Sequence, residues 1–176
     1  MTPQERERLR SLASQQLELA HSSRNLERIA LWKRHHAFRG ERPPIHIEVG
    51  SFAQEIIDPL LTCTTPDARA MEWELLGQIV NLWLFDDDWV VPPYFPVYQH
   101  VWFLPFNYSV ARQTATDAEG RQVGHHFVHP VTDLEKDFDK LMTPSSYGYD
   151  REGTDRAQAL REDTFGDILP VRRTLY

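Results

Sequence analysis

The sequence predicts an α/β protein, and three observations carry that prediction. Helix starts marked by a capping residue followed by proline recur at Thr2-Pro3 and Thr65-Pro66. Ile45, Ile47 and Val49 alternate with His46 and Glu48, the period-two pattern of a half-buried strand. A helix signal closing at Phe165-Gly166 runs straight into the apolar segment 167–172, which is the helix-to-strand half of a βαβ unit. A strand of that kind is covered on both faces by further elements. The 176 residues therefore read as the leading part of a larger α/β architecture, one partial domain with a helical hairpin at 1–42 and βα units at 43–176.

Taken in order, Thr2-Pro3-Gln4-Glu5 is a capping box, and Leu9, Leu12, Ala13, Leu19 and Ala20 stripe the helix that follows to about residue 20. A second helix starts near Ser22 or Ser23 and uses Leu26, Ile29, Ala30 and Trp32. It ends around 38–40, where Gly40 suits the C-terminal cap and Pro43-Pro44 forbid continuation. The strand at 45–49 delivers Glu48, Gly50 and Ser51 at its C-terminal end, and 52–61 makes a short helix around Ile56, Ile57 and Leu60. A long helix at 67–85 presents Met71, Leu75, Ile79, Leu82 and Trp83, and the carboxylates Asp86, Asp87 and Asp88 end it because they oppose the helix dipole. Trp89, Val90 and Val91 follow as a strand. Pro92, Pro93 and Pro96 make 94–106 irregular or edge structure. Residues 114–124 read as a polar loop with a turn at 117–120, and Thr132-Asp133-Leu134-Glu135 as a capping box before a short helix striped by Leu134, Phe138 and Leu141. A final helix spans 151–165 with Ala157, Leu160 and Thr164 inward, and 168–171 is the strand that returns to a parallel sheet with 45–49 and 89–91.

Composition narrows the function classes. Residues 1–42 carry nine Lys/Arg against five Asp/Glu (+4) and the remainder ten against twenty-one (−11), for −7 overall, a balance that disfavours nonspecific nucleic-acid binding. Cys63 is the only cysteine, so the chain forms no disulfide within itself, which suits a reducing cytoplasm. No apolar run reaches the roughly 18 residues of a membrane span, and 1–20 lacks a signal-peptide core. The expected location is cytoplasmic, with no nucleic-acid or membrane partner.

The phrase Gly124-His-His-Phe-Val-His-Pro-Val-Thr-Asp-Leu-Glu-Lys-Asp-Phe-Asp-Lys-Leu141, followed by a linker and a helix ending Phe165-Gly-Asp-Ile-Leu-Pro-Val171, resembles the uroporphyrinogen decarboxylase superfamily. That superfamily joins the decarboxylase of tetrapyrrole synthesis to zinc-dependent methyltransferases acting on corrinoid proteins and coenzyme M. The resemblance implies a TIM (β/α)8 barrel, of which this chain carries about three of the eight strands. It also implies, for the intact relative, methyl transfer on a small molecule or corrinoid partner, with uroporphyrinogen decarboxylation the alternative. The decarboxylase signature Met-Arg-Gln-Ala-Gly-Arg has no counterpart in 45–51, which holds no arginine, and the aspartate of the second barrel strand has none in 90–95. The methyltransferases place their His/Cys zinc site in the later half of the barrel, so this segment by itself binds no cofactor. The expectation is a portion inactive alone. Its rival is a noncatalytic subunit or interaction module, completed by a second polypeptide or by self-association through unpaired strand edges.

Candidate groups are few. Glu48 and Ser51 sit where barrel enzymes recruit catalytic groups, although a solvated glutamate on an alternating strand is the plainer reading. Tyr94, Tyr98, His100 and Trp102 are suited to wall a pocket for a flat or apolar ligand, or to pack under a loop. Among the histidines, strand alternation lets only His125 and His129 share a face as metal ligands, and no metal site is predicted. His35 and His36 complement the dipole of the second helix. The Asp86–Asp88 run reads as a solvated helix end in preference to a magnesium site.

Overall fold

The computed structural model describes residues 1–175, with Ser51 described by its backbone alone. The chain divides into two compact units, Met1–Tyr98 with Glu152–Tyr176, and Gln99–Arg151. Helix and strand are mixed, as an α/β class requires, and no described helix is long and apolar enough to cross a membrane.

The first unit is built on helices α1 (Pro3–Ala20), α2 (Ser23–His36), α3 (Ala53–Ile57) and α4 (Pro66–Leu84). The capping box forms: the Glu5 amide donates to Thr2 Oγ1 and the Thr2 amide to Glu5. Leu9, Leu12 and Ala13 of α1 meet Met71, Leu75, Leu76 and Ile79 of α4, so α4 runs through the core as a central helix. Strand β1 (Phe95–Tyr98) and the later helix α6 (Arg151–Phe165) close the same core, with the Phe95 and Phe165 rings 5.3 Å apart.

Several expectations are corrected here. Residues 45–49 and 89–91 form no strand and join no sheet, because side chains occupy their backbone groups before a ladder can. Asp88 accepts from the Ile45 amide and Asp87 from the Ile47 amide, while Asn81 donates to the Ile47 carbonyl. Asn25 on α2 both donates to the Val91 carbonyl and accepts from its amide, standing where a neighbouring strand would stand. The strands lie instead in 94–106, where β1 pairs in parallel with β6 (Val171–Thr174), Phe95 opposite Val171. The last strand thus begins where 168–171 was expected to end. Helix α2 buries Asn25, Arg28 and Leu31, leaving Leu26 exposed, and its left-handed cap falls on Phe38 at φ 55° instead of Gly40.

The second unit contains two antiparallel pairs: β2 (His100–Leu104) with β5 (Ser146–Asp150), and β3 (Arg112–Thr116) with β4 (Gln122–Phe127). The supposed polar loop 114–124 is therefore the heart of a hairpin, turning at 117–120 with Gly120 at φ 80°. Between the pairs, α5 (Leu134–Asp137) is capped by Asp133 and not by Thr132, whose amide donates to Asp137. Its stripe points outward at Leu134 and Phe138, which are exposed. Among the described residues, the strands make three two-stranded sheets and no closed one.

Candidate functional site

Of the candidate pocket residues, Glu48 and Tyr98 come together in a cleft of about 330 Å³ in the first unit, bounded by the 46–50 strap, one face of α4 and the end of β1. The strap is held by the Asp87 and Asn81 contacts to Ile47. Trp89 is fixed by its indole N–H donating to the Gln78 carbonyl at 2.8 Å, and His46 lies over it at 4.6 Å. Glu74, on the α4 wall, is gripped by Arg161, whose Nη2 donates to both carboxylate oxygens at 2.8 and 3.0 Å and whose Nε donates at 3.3 Å. Arg161 also lies 5.5 Å above the Phe95 ring. The cleft thus offers one exposed carboxylate, one carboxylate already engaged by arginine, and aromatic walls at Trp73, Trp89 and Tyr98.

The other candidates go elsewhere. Tyr94 points to Arg172, whose guanidinium sits 4.9 Å over its ring, and its carbonyl accepts from Gln16. His100 belongs to the second unit, its Nδ1 3.9 Å from Asp150 across the β2–β5 pair. The Ser51 side chain lies outside the described residues. Strand β4 ends at Phe127, so alternation does not extend to His129: the ring beside His129 is His126, at 6.1 Å, while His125 packs edge-on to Phe127 at 4.6 Å. Among the described residues no group of three or more His, Cys, Asp or Glu side chains is arranged to hold a metal.

Sequence reasoning missed the role of the aspartate run. Only Asp86 is solvated. Asp87 and Asp88 are buried, and Asp88 accepts from both Arg42 terminal nitrogens and from the Ile45 amide. Arg42 is the main reason the Asp88 carboxyl is lowered to about 2, against the opposing effect of burial. Two further carboxylates fix the approach to α4. Glu5 accepts from the Thr64 and Thr65 amides, and buried Glu72 accepts from Arg8, Thr62 and Cys63. The Thr65 hydroxyl, the anticipated helix cap, donates to Glu5 instead.

The second unit has a different character. Register places Val101 opposite Tyr149 and Phe103 opposite Tyr147, so these four share one face of the β2–β5 pair, and all four are exposed. On the other face Trp102 lies against Gly148 so closely that a Cβ there would sit 2.5 Å from the indole nitrogen. Among the described residues of this unit none is buried. Fourteen of its large apolar side chains are exposed, Tyr147 at 81%. With both sites described, comparison with known proteins adds nothing to them: no family model, curated protein or solved structure matches the chain.

Proposed function

We propose that the chain is a noncatalytic interaction module that associates with a second copy of itself through residues 99–151. The observation that carries this reading is a 53-residue unit, Gln99–Arg151, without a buried residue among those described and with fourteen large apolar side chains in solvent. Aromatic side chains cover 150–250 Å² each, so at their observed exposure these residues offer about 1,000 Å² of apolar surface, against about 800 Å² per partner in a standard interface. Soluble monomers rarely expose apolar area on that scale, and Val101, Phe103, Tyr147 and Tyr149 gather part of it on one face of the β2–β5 pair. A like copy fits. Residues 99–151 hold five Lys/Arg against seven Asp/Glu, so two copies repel weakly there, and open strand edges are self-complementary about a two-fold axis. Size-exclusion chromatography with light scattering tests the reading. The expected mass is above that of one chain and falls to the monomer when Val101, Phe103 and Tyr147 are replaced together by serine; a monomer at every concentration overturns it.

A second reading, the barrel portion of a uroporphyrinogen-decarboxylase-like enzyme, is favoured by one feature: α6 leads through Gly166 to β6, which lies parallel to β1. The antiparallel β2–β5 and β3–β4 ladders do not belong to such a barrel. Incubation with uroporphyrinogen checks its decarboxylase form: coproporphyrinogen above a protein-free control would favour that form over the interaction module, and none is expected, since 45–51 and 90–95 lack the arginines and the aspartate of that chemistry.

A further inference from the structure

The inward face of α2 holds a charged group whose hydrogen-bonding needs nothing around it meets. Arg28 is 5% exposed, and both of its terminal nitrogens, Nη1 and Nη2, are enclosed without a hydrogen-bond partner among the described residues. The nearest carboxylate oxygen, on Asp86, is 3.9 Å from Nη2, beyond hydrogen-bond reach. Asp87 and Asp88 lend charge but no acceptor. Asp87 is spent on the Ile47 and Trp89 amides and on Asn81, and Asp88 on Arg42 and the Ile45 amide. Leaving a buried guanidinium without acceptors is among the costlier arrangements a fold can hold.

We propose that the cleft between α2 and the Asp86–Asp88 corner is a binding site for a small oxyanion, seated on the Arg28 guanidinium. The cleft measures about 480 Å³, within the size range of small-ligand sites and far larger than a single water. Arg24, Arg28, Arg34 and Arg42 line it together with Glu27, Glu41 and Asp86–Asp88, of which Asp88 is neutralised by Arg42 and Asp86 by Arg24, so Arg28 is the cation that an oxyanion would engage. The paired Nη atoms of a guanidinium match the two oxygens of a carboxylate or phosphate in a fork that ammonium cannot form. Asp86 is the built-in competitor. Its side chain is 93% exposed and held by Arg24, which is itself half exposed, so the pair can swing into solvent at little cost and uncover the Nη atoms. The incoming oxyanion then replaces the Asp86 carboxylate and gains Arg24 as a second cation. Burial, followed by repulsion from Arg24, weakens the hold of Arg28 on its proton, which an anion in the cleft relieves. This site lies in the first unit and is independent of the self-association assigned to the second.

The test is calorimetric titration and thermal melting of the full chain at low ionic strength, with inorganic phosphate in one arm and acetate in the other. The expected result is one equivalent bound and a melting temperature that rises with anion concentration. Phosphate alone marks a tetrahedral ligand, acetate alone a planar one, and a response to both a general oxyanion cradle. Arg28→Met abolishes binding and raises the anion-free melting temperature, since an aliphatic chain of similar length replaces an unsatisfied buried charge. Arg28→Lys keeps the charge but loses the fork and weakens binding by at least about tenfold. Asp86→Asn strengthens binding severalfold. A wild-type chain whose heats and melting temperature ignore both anions, or an Arg28→Lys chain that binds them as tightly as wild type, overturns the proposal, and the latter holds even where Arg28→Met fails to fold.

Discussion

Glu72 sits fully enclosed on α4 yet stays ionised, and the reason lies in its four donors. Burial pushes its carboxyl pKa up, but the Arg8 side chain, the Cys63 and Thr62 amides and the Thr62 hydroxyl more than offset that, leaving it at about 2 against an ordinary 4.5. A carboxyl lowered on folding stabilises the folded chain fully above its unfolded pKa, and that stabilisation drains away as pH falls toward the folded one. Stability in urea should therefore drop between about pH 4.5 and 2, with Asp88, lowered from 3.8 to about 2 chiefly by Arg42, contributing over the lower part of that window. Glu72→Gln keeps the shape and removes the charge. It should cost about 2–3 kcal/mol near neutral pH, because charge-assisted bonds become neutral ones and an amide N–H faces donors, and it should flatten the acid transition. A variant with wild-type stability and an unchanged acid limb would show that Glu72 is not the anchor of the 62–63 turn. None of this was legible in the sequence. A glutamate inside an apolar helix period reads as a solvated residue, and its donors come from Arg8, 64 positions away, as well as from nearby Thr62 and Cys63.

Elements whose signals are local were legible, and elements whose identity depends on a distant partner were not. For α1 and α4, cap, proline and 3.6-residue period agree within a single stretch, for α6 the apolar period meets the closing Gly166, and each of the three lies within one residue of its expected bounds. The segments 45–49 and 89–91 carry strand-like patterns, but Asn25, Asn81, Asp87 and Asp88 reach their backbone groups first. The prolines read 94–106 as irregular or edge structure, and β1 is an edge strand of that kind, pairing on one side only, with β6, where proline is tolerated. The site divides the same way: Glu48 and Tyr98 share a cleft because both border the strap and β1, whereas Arg28 and Asn25 were hidden on the helix face that apolar periodicity assigned outward. The end of α2 offers a direct test. Arg39 donates to the Arg34 carbonyl and Phe38 to that of His35, a cap that puts Phe38 in the left-handed region with its side chain 99% exposed. Phe38→Gly removes the Cβ strain and loses no contact, so it should stabilise the chain by about 0.5–1 kcal/mol. A destabilised variant would mean that the exposed phenyl ring is held by something in solution.

At the scale of the whole chain, the two units differ in what can hold them closed. The first surrounds α4 with Leu9, Leu12, Phe95, Phe165 and Leu169, all enclosed, so its amides open only when that core opens. The second has two ladders and no enclosed side chain among its described residues, so its hydrogen bonds are backed by the Trp102–Gly148 contact and by cross-strand pairs alone. Cross-strand pairs are worth a few tenths of a kcal/mol to about 1 kcal/mol each, and isolated two-stranded pairs are marginal in water. Hydrogen exchange on dilute chain should consequently find the β2–β5 and β3–β4 amides protected at least about a hundredfold less than those of α4, an opening free energy lower by about 3 kcal/mol. Raising the concentration should bring the protection of β2–β5 up toward that of α4 while leaving α4 unchanged, because association buries Val101, Phe103, Tyr147 and Tyr149 without touching the first core. Protection in β2–β5 that already equals that of α4 at the lowest concentration would mean that the unit closes on its own, and the apolar face would then need no second copy to explain it.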